Sequence, residues 1–360
     1  MFVDLARACA VIFMVYGHTI DALLASAYRQ GRWFDLWQFQ RGMTAPLFLL
    51  LSGFVFALVT GRHWEAHLHA GPRVARRLLR FAGYVVLGYL IHFPASSLSG
   101  LADVPPAGWR AFAAVDVLQL IGVSLLLLQG LVALARTRAT FGALALGLGV
   151  AVVALTPLVW LSDWAAGAPP GVAAYLTLAT GSQFPFFPWA GYVLLGAAAG
   201  SAWAAWGGEA MDRFANRVLL GGGAVLLGAW LAAGLAVLPP IAGVSASGQP
   251  TLFLMRAGTS LVLFGLLAHL TRVVTRLPAA VGAIAQESLV VYVLHLCVVY
   301  GSVWNTGLAQ SWGATLGPLA TLTAVVAVLP ECCPWRGPGT SSSTGVPRPR
   351  GGPAPASRAR

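Results

Sequence analysis

The stretch FVDLARACAVIFMVYGHTIDAL, residues 2–23, decides the fold class, because it is long and apolar enough to cross a membrane as one helix. It nevertheless contains Arg7 and His18, which ten intervening residues separate. Eleven steps make close to three helical turns, so both side chains fall on nearly one face, about 16 Å apart along the axis. Asp21 lies on the same stripe. Ionisable residues at mid-bilayer cost roughly 2.5–3.5 kcal/mol each and usually serve a function, so this helix predicts a polar site inside a membrane.

The composition points to the same class of protein. Of 360 residues, 58% are hydrophobic and only 9% are charged, whereas soluble domains carry about 25% charged residues. We therefore predict an all-α, polytopic integral membrane protein whose first partner is the lipid bilayer. All 22 basic residues are arginine, and the net charge is +11. These arginines lie in short loops rather than on one folded face, so they do not indicate a nucleic-acid partner.

Apolar segments of the required length of about 20 residues recur along most of the chain. They predict ten transmembrane helices at 2–25, 43–60, 78–95, 116–135, 140–161, 185–206, 217–238, 251–270, 283–303 and 313–330. Residues 1–330 then form one transmembrane domain. Residues 331–360 are rich in Pro, Gly, Ser and Arg without hydrophobic periodicity, so we predict a disordered basic tail.

Arginine alternates between the predicted loops. It is present in 61–77, at 136 and 138, at 213, and at 272 and 276, and absent from 162–184, 239–250 and 304–312. The positive-inside rule places the basic loops and both termini in the cytoplasm, and we expect a bacterial inner membrane. Loop 26–42 is the exception, because Arg29, Arg32 and Arg41 lie in a loop predicted to face outwards. Either the span count is wrong, or this loop binds an anionic substrate.

Five segments of the chain resemble a known superfamily, in its order. They are DLARACAVIFMVYGH at 4–18, APLFLLLSGFVFAL at 45–58, VDVLQLIGVSLLLL at 115–128, FPFFPWAGYVLLGAAAG at 184–200 and SLVVYVLHLCVVYG at 288–301. The first two resemble the membrane-bound acyltransferase superfamily, which includes the acyltransferase-3 proteins and the heparan-alpha-glucosaminide N-acetyltransferase-like catalytic domain. The last three are similar to the second of these families.

The resemblance implies acyl transfer, usually of acetyl, from a cytoplasmic acyl-CoA to a sugar or glycan outside. Acyl-CoA is then a cosubstrate, and no permanently bound cofactor is expected. The acyltransferase-3 pattern of arginine and a later histidine maps onto Arg7 and His18. The N-acetyltransferase branch is similar to enzymes whose histidine follows the first span, and loop 26–42 has none, so the acceptor stays open. The rival hypothesis is a transporter or flippase that uses intramembrane His, Asp and Glu as a proton relay.

His18 and Asp21 are the candidate catalytic residues. A neutral imidazole can accept a proton from an attacking hydroxyl or amine, or it can carry the acyl group covalently. Asp21 follows His18 by three residues on the same helical face and can orient its ring. The alternative is a histidine that packs between helices and bonds a neighbouring carbonyl.

Arginines supply the candidate donor-binding residues. Arg7 can hold a phosphate of CoA or the thioester oxygen, or it can simply extend to the lipid headgroups. Further along, one helical face carries Arg73, Arg76, Arg77 and Arg80. This face suits the phosphates of a nucleotide-bearing donor, although topology and contact with anionic lipid explain the same residues and, taken alone, are the favoured explanation. Histidines at 63, 67 and 69 lack cysteine or carboxylate spacing, so we predict no metal site.

The remaining candidates are possible substrate-binding residues. Asp116 begins the fourth predicted span at its outer side, where it can hydrogen-bond an acceptor sugar. Glu287 begins the ninth at the depth of Arg7, which favours either an ion pair or a substrate contact. His295 lies near mid-membrane as a second polar member of the site or as a packing residue. Trp189 can stack on a sugar or belong to the interfacial aromatic belt. Small residues in 191–208 permit close helix approach and allow an oligomer.

Overall fold

The computed structural model describes residues 1–205, 211–274 and 276–332. Over these ranges the chain forms helices joined by loops, with no strand, which confirms the all-α prediction. The predicted tail lies outside the described residues from position 333 onward, while Glu331 and Cys332 end the last helix.

The first half of the chain contains long helices and short connecting ones. They are α1 Phe2–Leu23, α2 Arg32–Arg41, α3 Thr44–Arg62, α4 Glu65–Leu68, α5 Pro72–Ile91, α6 Pro106–Ala113, α7 Val117–Ala135 and α8 Arg138–Trp160. Pro72 and Pro106 begin helices, where proline has no intrahelical hydrogen bond to lose.

The second half repeats this alternation. Its helices are α9 Asp163–Gly167, α10 Pro170–Leu176, α11 Phe186–Ala205, α12 Met211–Gly234, α13 Pro250–Val273, α14 Ala279–Gln286, α15 Ser288–Tyr300, α16 Leu308–Trp312 and α17 Pro318–Cys332.

Six helical stretches in the described part of the chain are long and apolar enough to cross a membrane. They are Phe2–Leu23, Arg32–Arg62, Val117–Ala135, Arg138–Trp160, Asp212–Gly234 and Pro250–Val273. The bent pair α14 and α15 makes a seventh if it counts as one span. A polytopic membrane protein is thus confirmed, whereas the count of ten spans stays a prediction.

The predicted ninth span, 283–303, is wrong as a continuous helix. It is broken at Glu287, where α14 and α15 meet at 84°. Glu287 adopts φ −97° and ψ 23°, which ends the helical ladder of α14. The polar run Gln286, Glu287 and Ser288 interrupts the apolar sequence at this point, and such breaks at membrane depth are tolerated where they line a cavity.

Helix α3 lies at the centre of the packing. A Cβ atom on Gly53 would lie 1.8 Å from the Val193 carbonyl oxygen, and one on Gly196 would lie 1.9 Å from that of Leu50. The backbones of α3 and α11 therefore touch. Phenylalanine rings of α1 and α13 pack on the other side of α3, with centroid distances of 5.9 Å from Phe54 to Phe2 and 5.7 Å to Phe264.

The basic loops meet at one end of the bundle. There Trp64 Nε1 donates to the Arg136 carbonyl at 3.1 Å, and Ser201 Oγ donates to that of Arg138 at 2.9 Å. We call this the arginine-rich end. The loop that follows α1 lies at the opposite end, where the backbone N–H of Ala25 donates to Leu316 at 2.9 Å. The loops predicted to share one side thus lie together, and the cytoplasmic position of the arginine-rich end stays a prediction.

Candidate active site

A cavity of about 840 Å³ lies between α1, α3, α5, α7 and α15. This volume is typical of small-molecule sites, which occupy about 300–1,000 Å³. Basic side chains line it towards the arginine-rich end: Arg7, His63, His67, Arg73, Arg76, Arg77 and Arg80. Its apolar wall follows α7 from Leu125 to Leu118 and reaches Tyr292 of α15. The structure therefore brings all five predicted donor-binding arginines to one cavity.

The four arginines of α5 differ in their surroundings. Arg77 is half-buried, donates to Thr60 Oγ1 at 2.7 Å, and holds its guanidinium 4.1 Å from the centre of the Phe56 ring. Arg73, Arg76 and Arg80 are exposed. Arg77 thus fixes α5 against α3, and the other three present their charge to the cavity mouth.

His67 is buried beside this basic group. Arg77 Nη1 lies 3.3 Å from His67 Nδ1, and the His67 carbonyl accepts from Gln129 at 3.2 Å. Burial, together with the charges of Arg77 and Arg73, lowers the pKa of His67, so the ring is uncharged at neutral pH. Among the residues described, no three His, Cys, Asp or Glu side chains are grouped as a metal site.

Arg7 contacts the helix break. Its Nη1 donates to the carbonyl of Ala285 at 3.5 Å, in the last turn of α14, where carbonyl groups have no intrahelical partner. The ion pairs found among the described residues do not join Arg7 to Glu287. The expected pair is therefore replaced by a carbonyl contact, while the neighbours of Glu287, Gln286 and Ser288, line the cavity.

Asp116 lies at the start of α7 and contacts Tyr292, which lines the cavity. Its Oδ1 caps the helix by accepting from the Val117 N–H at 2.7 Å. Its Oδ2 accepts from the Tyr292 hydroxyl at 3.2 Å and lies 3.7 Å from His92 Nε2. Asp116 was predicted to contact a sugar, and it also has this capping role.

The two intramembrane histidines meet next to Tyr292. The rings of His18 and His295 have centroids 5.2 Å apart, and those of His295 and Tyr292 are 5.6 Å apart. His295 is fully buried, and its Nδ1 lies 3.1 Å from the Val291 carbonyl oxygen. With the proton on Nδ1, Nε2 is a free acceptor, and it has no hydrogen-bond partner among the described residues.

Asp21 does not orient His18, which corrects the expectation. The Asp21 carboxylate forms an ion pair with Arg41 at the end of α2. His18 Nδ1 instead lies 3.0 Å from the Tyr300 hydroxyl. A guanidinium is a stronger partner for a carboxylate than an imidazole is, so Asp21 turns to α2.

Trp189 belongs neither to an exposed belt nor to an open stacking surface. It is 8% exposed, and its ring packs against Phe184 and Tyr192 at centroid distances of 4.9 and 5.9 Å. The reason is the packing of α11 against α3 and α8, which turns this residue inward. A guanidinium carbon, that of Arg256, lies 6.0 Å from the Trp189 ring centre.

Four polar residues were not predicted from the sequence. Tyr292 and Tyr300 contact the histidines, His92 lies against Asp116, and Arg256 lies beside Trp189. Two of these residues have a feature in the sequence that could have identified them. Tyr292 precedes His295 by three residues on one helix, and Arg256 is an arginine inside a predicted span, as Arg7 is. His92 and Tyr300 end their helices, where a polar residue is ordinary, so only the folded chain reveals them.

The comparison with known families agrees with this geometry. Residues 1–231 match the family described as heparan-alpha-glucosaminide N-acetyltransferase, catalytic. No curated protein sequence matches the chain. The match covers more than half of the chain, which therefore belongs to this family of membrane acetyltransferases that act on glycans. The resemblance drawn from the sequence is confirmed. His18 lies within the matched residues, whereas Arg256, Tyr292, His295 and Tyr300 lie beyond them.

Proposed function

We propose that this chain transfers an acetyl group from acetyl-CoA to an amine or hydroxyl of a glycan. The observation that carries the proposal is one continuous cavity that extends from the basic residues to Tyr292. The Tyr292 hydroxyl donates a hydrogen bond to Asp116, and the Tyr292 ring packs against that of His295. Binding of acetyl-CoA requires cations for its phosphates, and the transfer reaction requires a group that accepts a proton from the attacking acceptor. The two ends of this region offer these two features.

The donor nucleotide would bind at the exposed arginines. Arg73, Arg76 and Arg80 offer planar guanidinium groups that suit bidentate contacts with phosphate oxygens. The acyl-bearing arm would then lie along the apolar wall towards Tyr292. Since the basic loops are predicted to be cytoplasmic, the donor would enter from the cytoplasm.

His18 is the proposed general base. With Nδ1–H donating to the Tyr300 hydroxyl, Nε2 of His18 is the atom that accepts a proton. The acceptor nitrogen or oxygen attacks the thioester carbonyl, a new bond to carbon forms, and the carbon–sulfur bond breaks. The proton passes from the acceptor to His18 and then to the departing thiolate, which leaves as free CoA.

The proposal is tested with purified protein in nanodiscs of zwitterionic lipid. Acetyl-CoA and a glucosaminide are supplied, and both released thiol and acetylated sugar are measured. We expect both products from the wild type. His18→Ala should lower kcat by about 10²- to 10⁴-fold with little change in acetyl-CoA binding, since general-base catalysis contributes that much. The control is His69→Ala, at an exposed position outside the cavity lining.

The outcomes separate the alternatives. A wild-type protein that neither binds acetyl-CoA nor transfers acetyl would contradict the proposal and favour the transporter. Full activity of His18→Ala would show that another residue is the base. His295 would be examined next, because its buried Nε2 has no hydrogen-bond partner among the described residues.

A further inference from the structure

Three histidines share one arrangement, in which Nδ1 contacts an oxygen. In His295 and His92, Nδ1 lies 3.1 and 3.0 Å from the carbonyl oxygen four residues earlier in the chain. A carbonyl oxygen only accepts, so Nδ1 of these two rings carries the proton. In His18, Nδ1 lies 3.0 Å from the Tyr300 hydroxyl, to which it donates in the proposed mechanism. Nε2 of each neutral ring is then a proton acceptor.

Tyr292 and Asp116 join these histidines into one series. The rings of His18 and His295 lie 5.2 Å apart, and those of His295 and Tyr292 lie 5.6 Å apart. The Tyr292 hydroxyl donates to Oδ2 of Asp116 at 3.2 Å, and the same Oδ2 lies 3.7 Å from Nε2 of His92. Two acceptor atoms thus face each other, and a proton between them would satisfy both.

The series ends at the surface away from the donor side. Helix α5 begins at the arginine-rich end, where Arg77 contacts His67, and His92 follows its last residue. His92 therefore lies at the opposite end of the bundle. Its side chain is 38% exposed, so it can exchange a proton with solvent there.

Charged groups around the series favour movement of a proton towards Asp116. Within the described part of the chain, the ion-pair partner of Asp116 is His92, which is charged only when protonated. Three charged groups on α1, α2 and the loop between them act on His18 or Tyr300: Asp21, Arg29 and Arg41. Of these, Asp21 is paired with Arg41. Asp116 is therefore the carboxylate of this region that attracts a proton from the histidines.

Acetylation of an amine releases one proton more than the departing thiolate takes up. An amine with a pKa near 8 is bound mainly as its ammonium form at neutral pH. Its nitrogen loses two protons as the bond to the acetyl carbon forms and the carbon–sulfur bond breaks. One proton makes the free thiol of CoA, and the other has to leave the site. A hydroxyl acceptor loses one proton and leaves no surplus.

We propose that four residues carry this surplus proton from His18 to the surface opposite the arginine-rich end: His295, Tyr292, Asp116 and His92. The inference rests on the proposed function and deepens it, since it assigns an amine as the acceptor. Nε2 of His18 first takes a proton from the ammonium group and passes it along the series to solvent. The neutral ring then takes the second proton as the amine attacks and gives it to the thiolate. Each transfer uses a direct contact or one bridging water.

The first measurement finds the side on which the proton is released. The wild type is placed in proteoliposomes of zwitterionic lipid, with a glucosaminide on both sides and a pH-indicating dye inside. Acetyl-CoA is added outside, so only molecules whose arginine-rich end faces outward react. We expect the interior to acidify by one proton for each acetylated sugar.

The second measurement is turnover of two variants in nanodiscs. Asp116→Asn removes the charge but keeps a side chain that caps α7 and accepts from Tyr292. His92→Ala removes the surface end of the series. Each should lower kcat by about 10²-fold, as loss of a positioned proton-transfer group does, with KM for acetyl-CoA unchanged. Added imidazole should restore turnover in His92→Ala alone, because a soluble base can replace an exposed ring. The controls are Asp103→Asn and His69→Ala, both at exposed positions outside the series.

The other outcomes overturn the inference. A wild-type kcat in either variant shows that the proton does not need the series. Loss of turnover in His92→Ala without rescue by imidazole assigns a structural role, which a lower thermal unfolding midpoint would accompany. Acidification outside the vesicles places the proton exit in the donor cavity. These results leave acetyl transfer by the wild type intact, whereas a wild type that forms neither acetylated sugar nor free thiol overturns the proposed function and the series together.

Discussion

Nδ1 of His18 lies 3.0 Å from the hydroxyl of Tyr300, so the last residue of α15 contacts a residue near the end of α1. The two ring centroids are 5.5 Å apart at 86°. Which ring nitrogen of a histidine carries the proton is set by the partner of the other nitrogen. In the proposed mechanism, where His18 donates its Nδ1–H to Tyr300, Tyr300 would be the positioning residue that keeps Nε2 of His18 available for proton transfer.

Tyr300→Phe should lower kcat/KM and shift its pH profile. The ring contact with His18 is kept, and only the hydroxyl is lost. A neutral hydrogen bond contributes about 0.5–1.5 kcal/mol, so a fall of roughly 2- to 10-fold is expected. Steady-state rates between pH 5.5 and 8.5 measure both effects. Tyr28→Phe is the control, at an exposed tyrosine of the same end, and an unshifted profile in Tyr300→Phe would contradict the positioning role.

Arg7→Ala should weaken acetyl-CoA binding while leaving the protein folded. Arg7 lines the cavity and donates only a long 3.5 Å bond to the Ala285 carbonyl. Loss of a charge-assisted contact with the donor should raise Kd by the equivalent of about 1.5–3 kcal/mol. Arg7→Lys should recover part of it, since a point charge does not replace a planar fork. Equilibrium binding measures the effect, with exposed Arg62→Ala as the control. Equal Kd values for Arg7→Ala and wild type would show that Arg7 does not bind the donor and that its role is the contact with the Ala285 carbonyl.

Acetyl-CoA should bind more tightly as the pH falls below 6.5. The pKa of His67 is lowered from its ordinary value of 6.5 by burial and by Arg77 and Arg73. Phosphates in the cavity favour the protonated ring, so donor binding takes up a proton there. Kd at pH 7.5 and 5.5 measures this coupling, and His67→Gln should reduce it. The same Kd change with pH in both proteins would exclude His67 as its source.

The stability of the ligand-free protein should decrease as the pH falls, whereas its affinity for acetyl-CoA should increase. Because folding lowers the pKa of His67, the unfolded chain binds the proton more readily. The His67 contribution therefore leaves stability unaffected above pH 6.5 and reduces it as the pH falls from 6.5 through the lowered pKa. Thermal unfolding without acetyl-CoA should show a smaller decrease in His67→Gln than in the wild type over that interval.

Gly53→Ala should destabilise the protein strongly. The added Cβ would stand 1.8 Å from the Val193 carbonyl oxygen, so α3 and α11 would have to separate. Overpacking of this kind costs about 1–3 kcal/mol or more. Gly147→Ala is the matched control, because no atom lies within 4 Å of its added Cβ. Thermal unfolding in detergent should show a lower midpoint only for Gly53→Ala, and equal midpoints would disprove the close contact.

Long apolar helices could be predicted from the sequence because the bilayer fixes their length. Helices α1, α7, α8 and α13 begin and end within a few residues of the predicted spans. The break at Glu287 could not be predicted in this way, since an average over about 20 residues hides two or three polar ones. Its position depends on a cavity that exists only in the folded chain.

The candidate site was predictable only where one helix carries it. Arg7 and His18 are conspicuous because charges within a span are costly. Helical spacing shows that Asp21 can approach His18, but it does not show that Arg41 competes for the same carboxylate. Tyr300 lies 282 positions from His18, so their contact depends on tertiary packing.

The cavity that ends at Tyr292 also has an electrical consequence. In a bilayer, water and ions that filled it from the arginine-rich end would reduce the insulating layer to the residues beyond Tyr292, which include His295 and His18. The membrane voltage would then fall across this thin layer instead of across about 30 Å of hydrocarbon. Moving one elementary charge through 100 mV corresponds to about 2.3 kcal/mol. In the proposed mechanism, any part of the proton's path from the acceptor through His18 to the thiolate that crosses this layer would be driven or opposed by a share of that voltage, which would make the rate of transfer depend on the membrane potential.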